Sequence, residues 1–114
     1  MAKFEKQRSL QALRLLVRQA ELESEKIVGH KPTSLRLKPM KSQWGSCNSK
    51  GIIAINTKLM YLPERLVRYV VHHEVVHLKI RSHDRSFRQL VEVLFPDRLI
   101  LDRQLRQAAG ILRQ

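Results

Sequence analysis

The sequence His73-Glu74-Val75-Val76-His77 lies within an otherwise strongly apolar segment, and this combination constrains the fold more than any other feature. Pro63 and Glu64 suit the first turn of a helix, and valine and leucine then recur on nearly all sides up to Ile80. A helix that is apolar all round belongs in a protein interior, where polar side chains need partners. We therefore predict a buried helix over 63–80 whose polar side chains bind a ligand.

The spacing of the two histidines predicts a metal site. His73 and His77 share one helical face, about 6 Å apart along the axis, and both can bind one ion at about 2.0–2.1 Å. Glu74 lies beside the same site, where it can act as a general base without being a ligand. With five histidines in 114 residues, chance would give roughly 0.01 matches to this motif. Two core histidines satisfied without a metal are the weaker alternative.

A catalytic zinc usually has three protein ligands and one open position. We predict His83 as the third ligand, because six residues let the chain leave the helix after His77 and turn back. Asp84 is the second candidate and Glu92 a weaker one. The alternative role for His83 is that of a helix cap. His30, after the first helix, is predicted to lie at the surface.

The rest of the chain predicts an α+β domain over 1–114. Helical periodicity marks a long N-terminal helix over 3–28 that ends at Gly29. Alternation and an apolar run mark strands at 33–40 and 52–56, which we expect to pair as a hairpin around a loop at 45–51. Two C-terminal helices follow at 83–94 and 97–109.

The loop at 45–51 follows the single tryptophan. We expect Trp44 to be a packing anchor between the hairpin and the helices. Gly45 permits a tight turn, and the Ser46 hydroxyl satisfies backbone groups of that turn. Cys47 is predicted to be a small buried apolar residue rather than a ligand or nucleophile.

The formal charge of +12 suggests an anionic partner. Seven basic residues and no acidic one lie between Lys26 and Pro63, so we place the excess on the hairpin beside the cleft. A solubilising surface, an acidic protein substrate and a nucleic-acid surface all remain open. Aromatic residues make up 5% of the chain, and no nucleic-acid motif is visible.

One cysteine excludes an internal disulfide, and we expect a cytoplasmic protein with no membrane span.

These motifs resemble the YgjP-like metallopeptidase domain, a family related to the WLM and SprT-like zinc peptidases. The resemblance covers residues 35–97 and is carried by Lys41-Ser42-Gln43-Trp44-Gly45-Ser46-Cys47, Lys50-Gly51, Ile53-Ala54-Ile55-Asn56, Val70 to Leu78, and His83-Asp84-Arg85-Ser86-Phe87. It implies a zincin-type fold with zinc on His73, His77 and His83 and with Glu74 as base. Relatives often have a longer N-terminal region, so a minimal chain with a shallow cleft and weak activity is expected.

The predicted function is a zinc-dependent metallopeptidase, in which Glu74 is general base for a zinc-activated water. Tyr61, Tyr69 and His72 are candidates for an oxyanion donor or for a partner behind the ligands. The strand at 52–56 is predicted to receive an extended peptide at its edge. The alternatives are a basic nucleic-acid-associated module with a zinc site, and a zinc-binding scaffold with little or no activity. Because Glu74 is intact, the enzyme is the favoured hypothesis. Its expected substrate is a peptide or protein, which one of the interpretations of the charge makes acidic. Self-association is a further expectation.

Overall fold

The computed structural model describes residues 8–113. Its first element is helix α1, Leu10–Val28, which begins where the Ser9 hydroxyl accepts a hydrogen bond from the Ala12 amide at 3.0 Å. The helix ends at Gly29, whose φ of 77° is the left-handed conformation that favours glycine. The predicted end is therefore confirmed. The predicted helix is wrong at residues 8 and 9, which precede α1, and residues 3–7 lie outside the described residues.

A three-stranded sheet follows, made of β1 (Ser34–Lys38), β2 (Gly45–Cys47) and β3 (Ile52–Asn56) in the order β1-β3-β2. β3 is the central strand, parallel to β1 and antiparallel to β2. The predicted hairpin between the strands at 33–40 and 52–56 is therefore wrong. The chain after β1 crosses to the other side of β3, and the residues predicted as loop supply the strand that pairs there.

The hairpin that does form joins β2 to β3 through a turn at 48–51. Asn48 holds this turn, because its side-chain oxygen accepts from the amides of Lys50 at 2.9 Å and Ile52 at 3.0 Å. Gly51, at φ 77°, supplies the left-handed residue. The turn roles predicted for Gly45 and Ser46 are wrong, since both residues lie in β2.

Three further α-helices complete the domain: α2 (Glu64–Val76), α3 (Arg85–Leu94) and α4 (Arg98–Gln107), with 3-10 turns at Thr57–Tyr61 and Ala108–Arg113. The predicted α+β class is confirmed. α2 is the central helix, since Val67, Val71, Val75 and Val76 are fully buried. It packs against α1 on one side and against β2 and β3 on another. No helix within residues 8–113 has the length and apolar character needed to cross a membrane.

Candidate metal centre

Three histidine side chains converge at the C-terminal end of α2. One ring nitrogen from each of His73, His77 and His83 lies within 4.8 Å of the others. The Nε2 atoms of His77 and His83 are 3.1 Å apart. Two ligands held tetrahedrally at about 2.05 Å from one zinc ion would be separated by about 3.3 Å. The donor set and its spacing therefore fit a single metal ion, and His83, rather than Asp84 or Glu92, joins the pair on the helix.

The end of α2 brings His83 back to the other two histidines. The helix stops after Val76, so the predicted end at Ile80 is wrong, and residues 77–80 form a tight turn in which the Ile80 amide donates to the Val76 carbonyl at 2.9 Å. Asp84 then caps α3, where its carboxylate accepts from the Phe87 amide at 3.0 Å. These two local signals fix the path of residues 77–84.

Phe87 lies against all three histidine rings, with ring centroids 5.0 Å from His73, 4.5 Å from His77 and 4.8 Å from His83. The phenyl ring is buried. It therefore fixes the ring orientations from one side and excludes water there. Sequence reasoning did not identify Phe87 as a site residue, although it closes the family-like motif that begins at His83.

The ring of His77 is held so that one nitrogen faces the cluster. Its Nδ1 lies 3.0 Å from the Ile80 carbonyl, which can only accept, so Nδ1 carries the proton and Nε2 is left for a metal. Burial lowers the pKa of His77. The neutral imidazole that a metal requires is thus the favoured form.

Glu74 lies beside the histidines and beneath strand β2. Its side chain is buried, and its Oε2 is 3.4 Å from Nδ1 of His73. Gly45 of β2 passes directly over this carboxylate. The two residues separate a cavity of about 130 Å³ on the Trp44 side from one of about 300 Å³ on the Cys47 side. A carboxylate placed between the metal ligands and two open cavities has the location that a general base needs.

The alternative third ligands are engaged elsewhere. Asp84 also accepts from the hydroxyls of Ser86 at 2.6 Å and Ser82 at 2.9 Å, and these bonds together with the Phe87 amide lower its pKa to about 2. Glu92 pairs with Arg98 at 2.7 Å. Both carboxylates are therefore accounted for without a metal.

His72 points away from the cluster into the core. Its Nε2 lies 3.2 Å from the Leu90 carbonyl and its Nδ1 lies 2.9 Å from the Ser24 hydroxyl. The side chain is fully buried, and this burial lowers its pKa. Both ring nitrogens are in use, so the structure leaves His72 as a structural residue that joins α1, α2 and α3 and not as an oxyanion donor.

The two tyrosines differ in their positions. Tyr69 is buried one turn before His73, lines the cavity on the Trp44 side, and donates its hydroxyl to Asp102 at 2.5 Å. Tyr61 lies in the 3-10 turn after β3, 37% exposed, and lines neither cavity beside Glu74. Of the two, only Tyr69 lies at the site, and its proton is directed to a carboxylate.

The loop residues predicted from the sequence lie along one wall of the cleft. Trp44 is half-buried, packs on the core, and its indole N–H lies 3.4 Å from the Leu105 carbonyl. Ser46 and Cys47 line the larger cavity. Arg81, which sequence reasoning did not identify, donates to the Cys47 carbonyl at 3.0 Å and lies 3.6 Å from the Cys47 sulfur. Burial raises the pKa of the Cys47 thiol, so the thiol form is favoured.

The strand beside the site is β2 rather than β3. Because β3 pairs on both sides, the predicted edge addition to the strand at 52–56 is wrong. β2 is a terminal strand of the sheet and lines both cavities with Gly45. The sheet edge next to the two cavities therefore lies at residues 45–47.

The basic residues between Lys26 and Pro63 do not all lie beside the cleft. Arg36 and Lys38 lie on β1, the edge strand on the other side of β3 from β2, so the predicted concentration of basic residues beside the cleft holds only in part. Lys31, Lys50 and Arg81 line a cavity of about 260 Å³ next to His77. Among the described residues that line it there is no carboxylate.

The chain matches a metallopeptidase family and shares its fold with two solved metallopeptidase structures. The pattern that defines the YgjP-like metallopeptidase domain matches residues 1–108. The chain is similar to the zymogen of the metallopeptidase abylysin from Pyrococcus abyssi, with 26% identity over 77% of this chain and 95% of that chain and a TM-score of 0.63. It also shares its fold with the jannalysin zymogen from Methanocaldococcus jannaschii, with 20% identity over 95% of this chain and 96% of that chain and a TM-score of 0.65. No curated protein sequence gives a significant match.

Proposed function

The chain belongs to the YgjP-like metallopeptidase family, and from this premise we propose that His73, His77 and His83 hold a zinc ion while Glu74 is the general base of peptide hydrolysis. The prediction of a zinc metallopeptidase is confirmed at the level of the family. The roles of individual residues are our proposal. The observation that carries it is the 3.1 Å separation of the His77 and His83 Nε2 atoms beside the buried Glu74 carboxylate.

In the proposed mechanism, separate parts of the site supply the base, fix the ligands and bind the substrate backbone. When bound, zinc supplies a Lewis acid that polarises the substrate carbonyl and makes water more acidic. Glu74 takes the proton from the attacking water and delivers it to the leaving nitrogen. Ile80 and Phe87 fix the histidine rings, so the ligands need little reorganisation. The outer edge of β2 pairs with the extended substrate backbone.

The substrate is a peptide or protein, and we propose that acidic side chains are favoured at the Cys47 end of β2. Arg81 lines both the larger cavity and the neighbouring one that holds Lys31 and Lys50. These cations attract an acidic segment as it approaches the cleft. A nucleic-acid partner would explain the same charge, but the chain shows no aromatic platform or recognition-helix motif to support it. The single cysteine supports a cytoplasmic location.

The test is metal-dependent hydrolysis of an unstructured acidic polypeptide. Chelation should remove activity, and one equivalent of zinc per chain should restore it. The His77→Ala variant is the control, and it should bind zinc weakly and stay inactive at the same zinc concentration. Activity that survives complete removal of metal from the wild-type protein would contradict the proposal.

A further inference from the structure

A small cavity lies on the Trp44 side of Glu74, opposite the basic end of the cleft. The residues that line it are Trp44, Gly45, Tyr69, Val70, His73, Glu74, Asp102 and Leu105, and its volume is about 130 Å³. A protein cavity of about 150 Å³ is large enough to hold benzene. This one therefore has room for one substrate side chain next to the proposed base.

The charge of this cavity is opposite to that of the whole chain. Two carboxylates, Glu74 and Asp102, line it, and its described lining includes no lysine or arginine. The chain as a whole carries a formal charge of +12. With zinc held at His73, which also lines the cavity, the ion would offset the charge of Glu74, so the attraction for a cationic group rests on Asp102.

Asp102 still has an acceptor oxygen to offer. Its Oδ1 accepts from the Tyr69 hydroxyl at 2.5 Å, whereas its Oδ2 is 3.9 Å from the nearest guanidinium nitrogen of Arg98. That distance is beyond a hydrogen bond. Arg98 instead makes its short contact, at 2.7 Å, with Glu92. The Asp102 side chain is 34% exposed, so a ligand can reach it.

The hydroxyl bound to Asp102 remains a donor at neutral pH. Burial and the neighbouring carboxylate raise the pKa of Tyr69. Tyr69 therefore donates and Asp102 accepts in this bond. A neutral acceptor would satisfy Tyr69 equally well, and Arg98, the cation paired with Asp102 within residues 8–113, lies beyond hydrogen-bond distance at 3.9 Å.

The apolar walls suit the stem of a long basic side chain. Val70 and Leu105 face the cavity, and the indole of Trp44 is tied to α4 through the Leu105 carbonyl at 3.4 Å. Lysine and arginine pack their methylene groups on such surfaces while the charged head reaches a polar group.

We propose that this cavity is a substrate subsite in which Asp102 selects a lysine or arginine side chain next to the cleaved bond. The inference rests on the proposed peptidase function and adds the substrate class. Arg81 and Lys50 lie at the other end of β2. The two ends of the cleft therefore carry opposite charges, basic at the Cys47 end and acidic at the Trp44 end. Asp102 is then a specificity residue.

The experiment compares pairs of peptides that differ only in lysine or norleucine, with the variable residue placed in turn on each side of the cleaved bond. For one position we expect the wild-type protein to give a kcat/KM about tenfold higher for lysine. Asp102→Asn, which keeps an acceptor for Tyr69, should abolish this preference while norleucine peptides are still cleaved. Arg98→Gln should increase the preference, because a competing cation is removed.

A binding measurement separates this inference from the proposed function. Zinc-loaded Glu74→Gln protein, with and without Asp102→Asn, is titrated with the same peptide pairs by calorimetry. Tighter binding of the lysine peptide that depends on Asp102 supports the subsite even if the wild-type protein hydrolyses no peptide. That second outcome would contradict the peptidase proposal alone. Equal affinity for both peptides, or a lysine preference that persists in Asp102→Asn, would overturn the subsite.

Discussion

A Cβ atom added to Gly45 would lie 3.0 Å from Cγ of Glu74 and 3.2 Å from its Oε2. Contacts this short force a neighbour to move. Gly45 thus lets strand β2 pass over the proposed base at close range, because no side chain at this position keeps the two apart. The glycine acts through a close approach, since its φ is not positive.

Gly45→Ala is therefore expected to lower kcat by up to about tenfold, because the neighbouring side chains must give by only a few tenths of an ångström, whereas a shift of about 1 Å can cost about a hundredfold. Zinc affinity should stay unchanged, since the added methyl group meets Glu74 and Val70 rather than the three histidines. Hydrolysis rates and zinc titrations check both statements. Gly110→Ala is the matched control, because nothing lies within 4 Å of a Cβ at that position. Equal effects of the two substitutions would contradict the positioning role.

Replacement of His83 tests the third ligand. His83→Ala should weaken zinc binding by at least about a hundredfold, because a ligand is lost. The neighbouring Asp84→Asn variant should retain full affinity, since asparagine also caps a helix. The zinc-dependent rise of the melting temperature measures both. If Asp84→Asn loses zinc and His83→Ala keeps it, the ligand assignment is wrong.

The hydrogen bond between Ser24 and His72 predicts an effect on stability and none on hydrolysis. Because Nε2 of His72 donates to the Leu90 carbonyl, Nδ1 must accept the Ser24 hydroxyl proton. Ser24→Ala leaves that buried acceptor unpaired and should cost about 1–3 kcal/mol of unfolding free energy in urea. The exposed Ser49→Ala serves as control. A loss of hydrolysis at unchanged stability would instead return His72 to the catalytic site.

The ion pair between Arg65 and Asp97 predicts how the stability of the fold depends on pH. Two hydrogen bonds, at 3.1 and 2.6 Å, lower the pKa of Asp97. A carboxylate with a depressed pKa in the folded state contributes stability above its unfolded pKa of about 3.9, and that contribution is lost as pH falls through the folded pKa.

Asp97→Asn should therefore flatten the acid limb of the stability curve below about pH 4, and its effect at pH 7 should be no more than about 1 kcal/mol because the pair is exposed. Thermal unfolding at a series of pH values measures this. Curves that stay parallel from pH 2 to pH 7 would show that the pair contributes nothing.

The local part of the site could be predicted from the sequence. The i,i+4 spacing of His73 and His77 in an apolar helix sets one helical face, and this rule needs no tertiary information. The sequence alone does not decide which of His83 and Asp84 is the third ligand and which caps the helix, because capping and metal binding use overlapping residue types. The structure shows the carboxylate used at the start of α3.

The sheet and the distant residues required the structure. Gly45-Ser46-Cys47 has no β-branched or aromatic residue, so its strand depends on pairing with β3 rather than on propensity. The parallel pairing of β1 with β3 is nonlocal and leaves no periodic signal that distinguishes it from a hairpin. Asp102 reaches the cleft only through the packing of α4, and no spacing rule connects it to Glu74.

In the proposed mechanism, Glu74 activates water beside a zinc ion held by His73, His77 and His83. The most direct measurement compares wild-type and Glu74→Gln protein for bound zinc and for hydrolysis of the same peptide. The substitution keeps nearly the same shape and removes the base. We expect one zinc per chain in both proteins and no measurable hydrolysis by the variant. A Glu74→Gln protein that binds zinc and hydrolyses the peptide at the wild-type rate would contradict the mechanism.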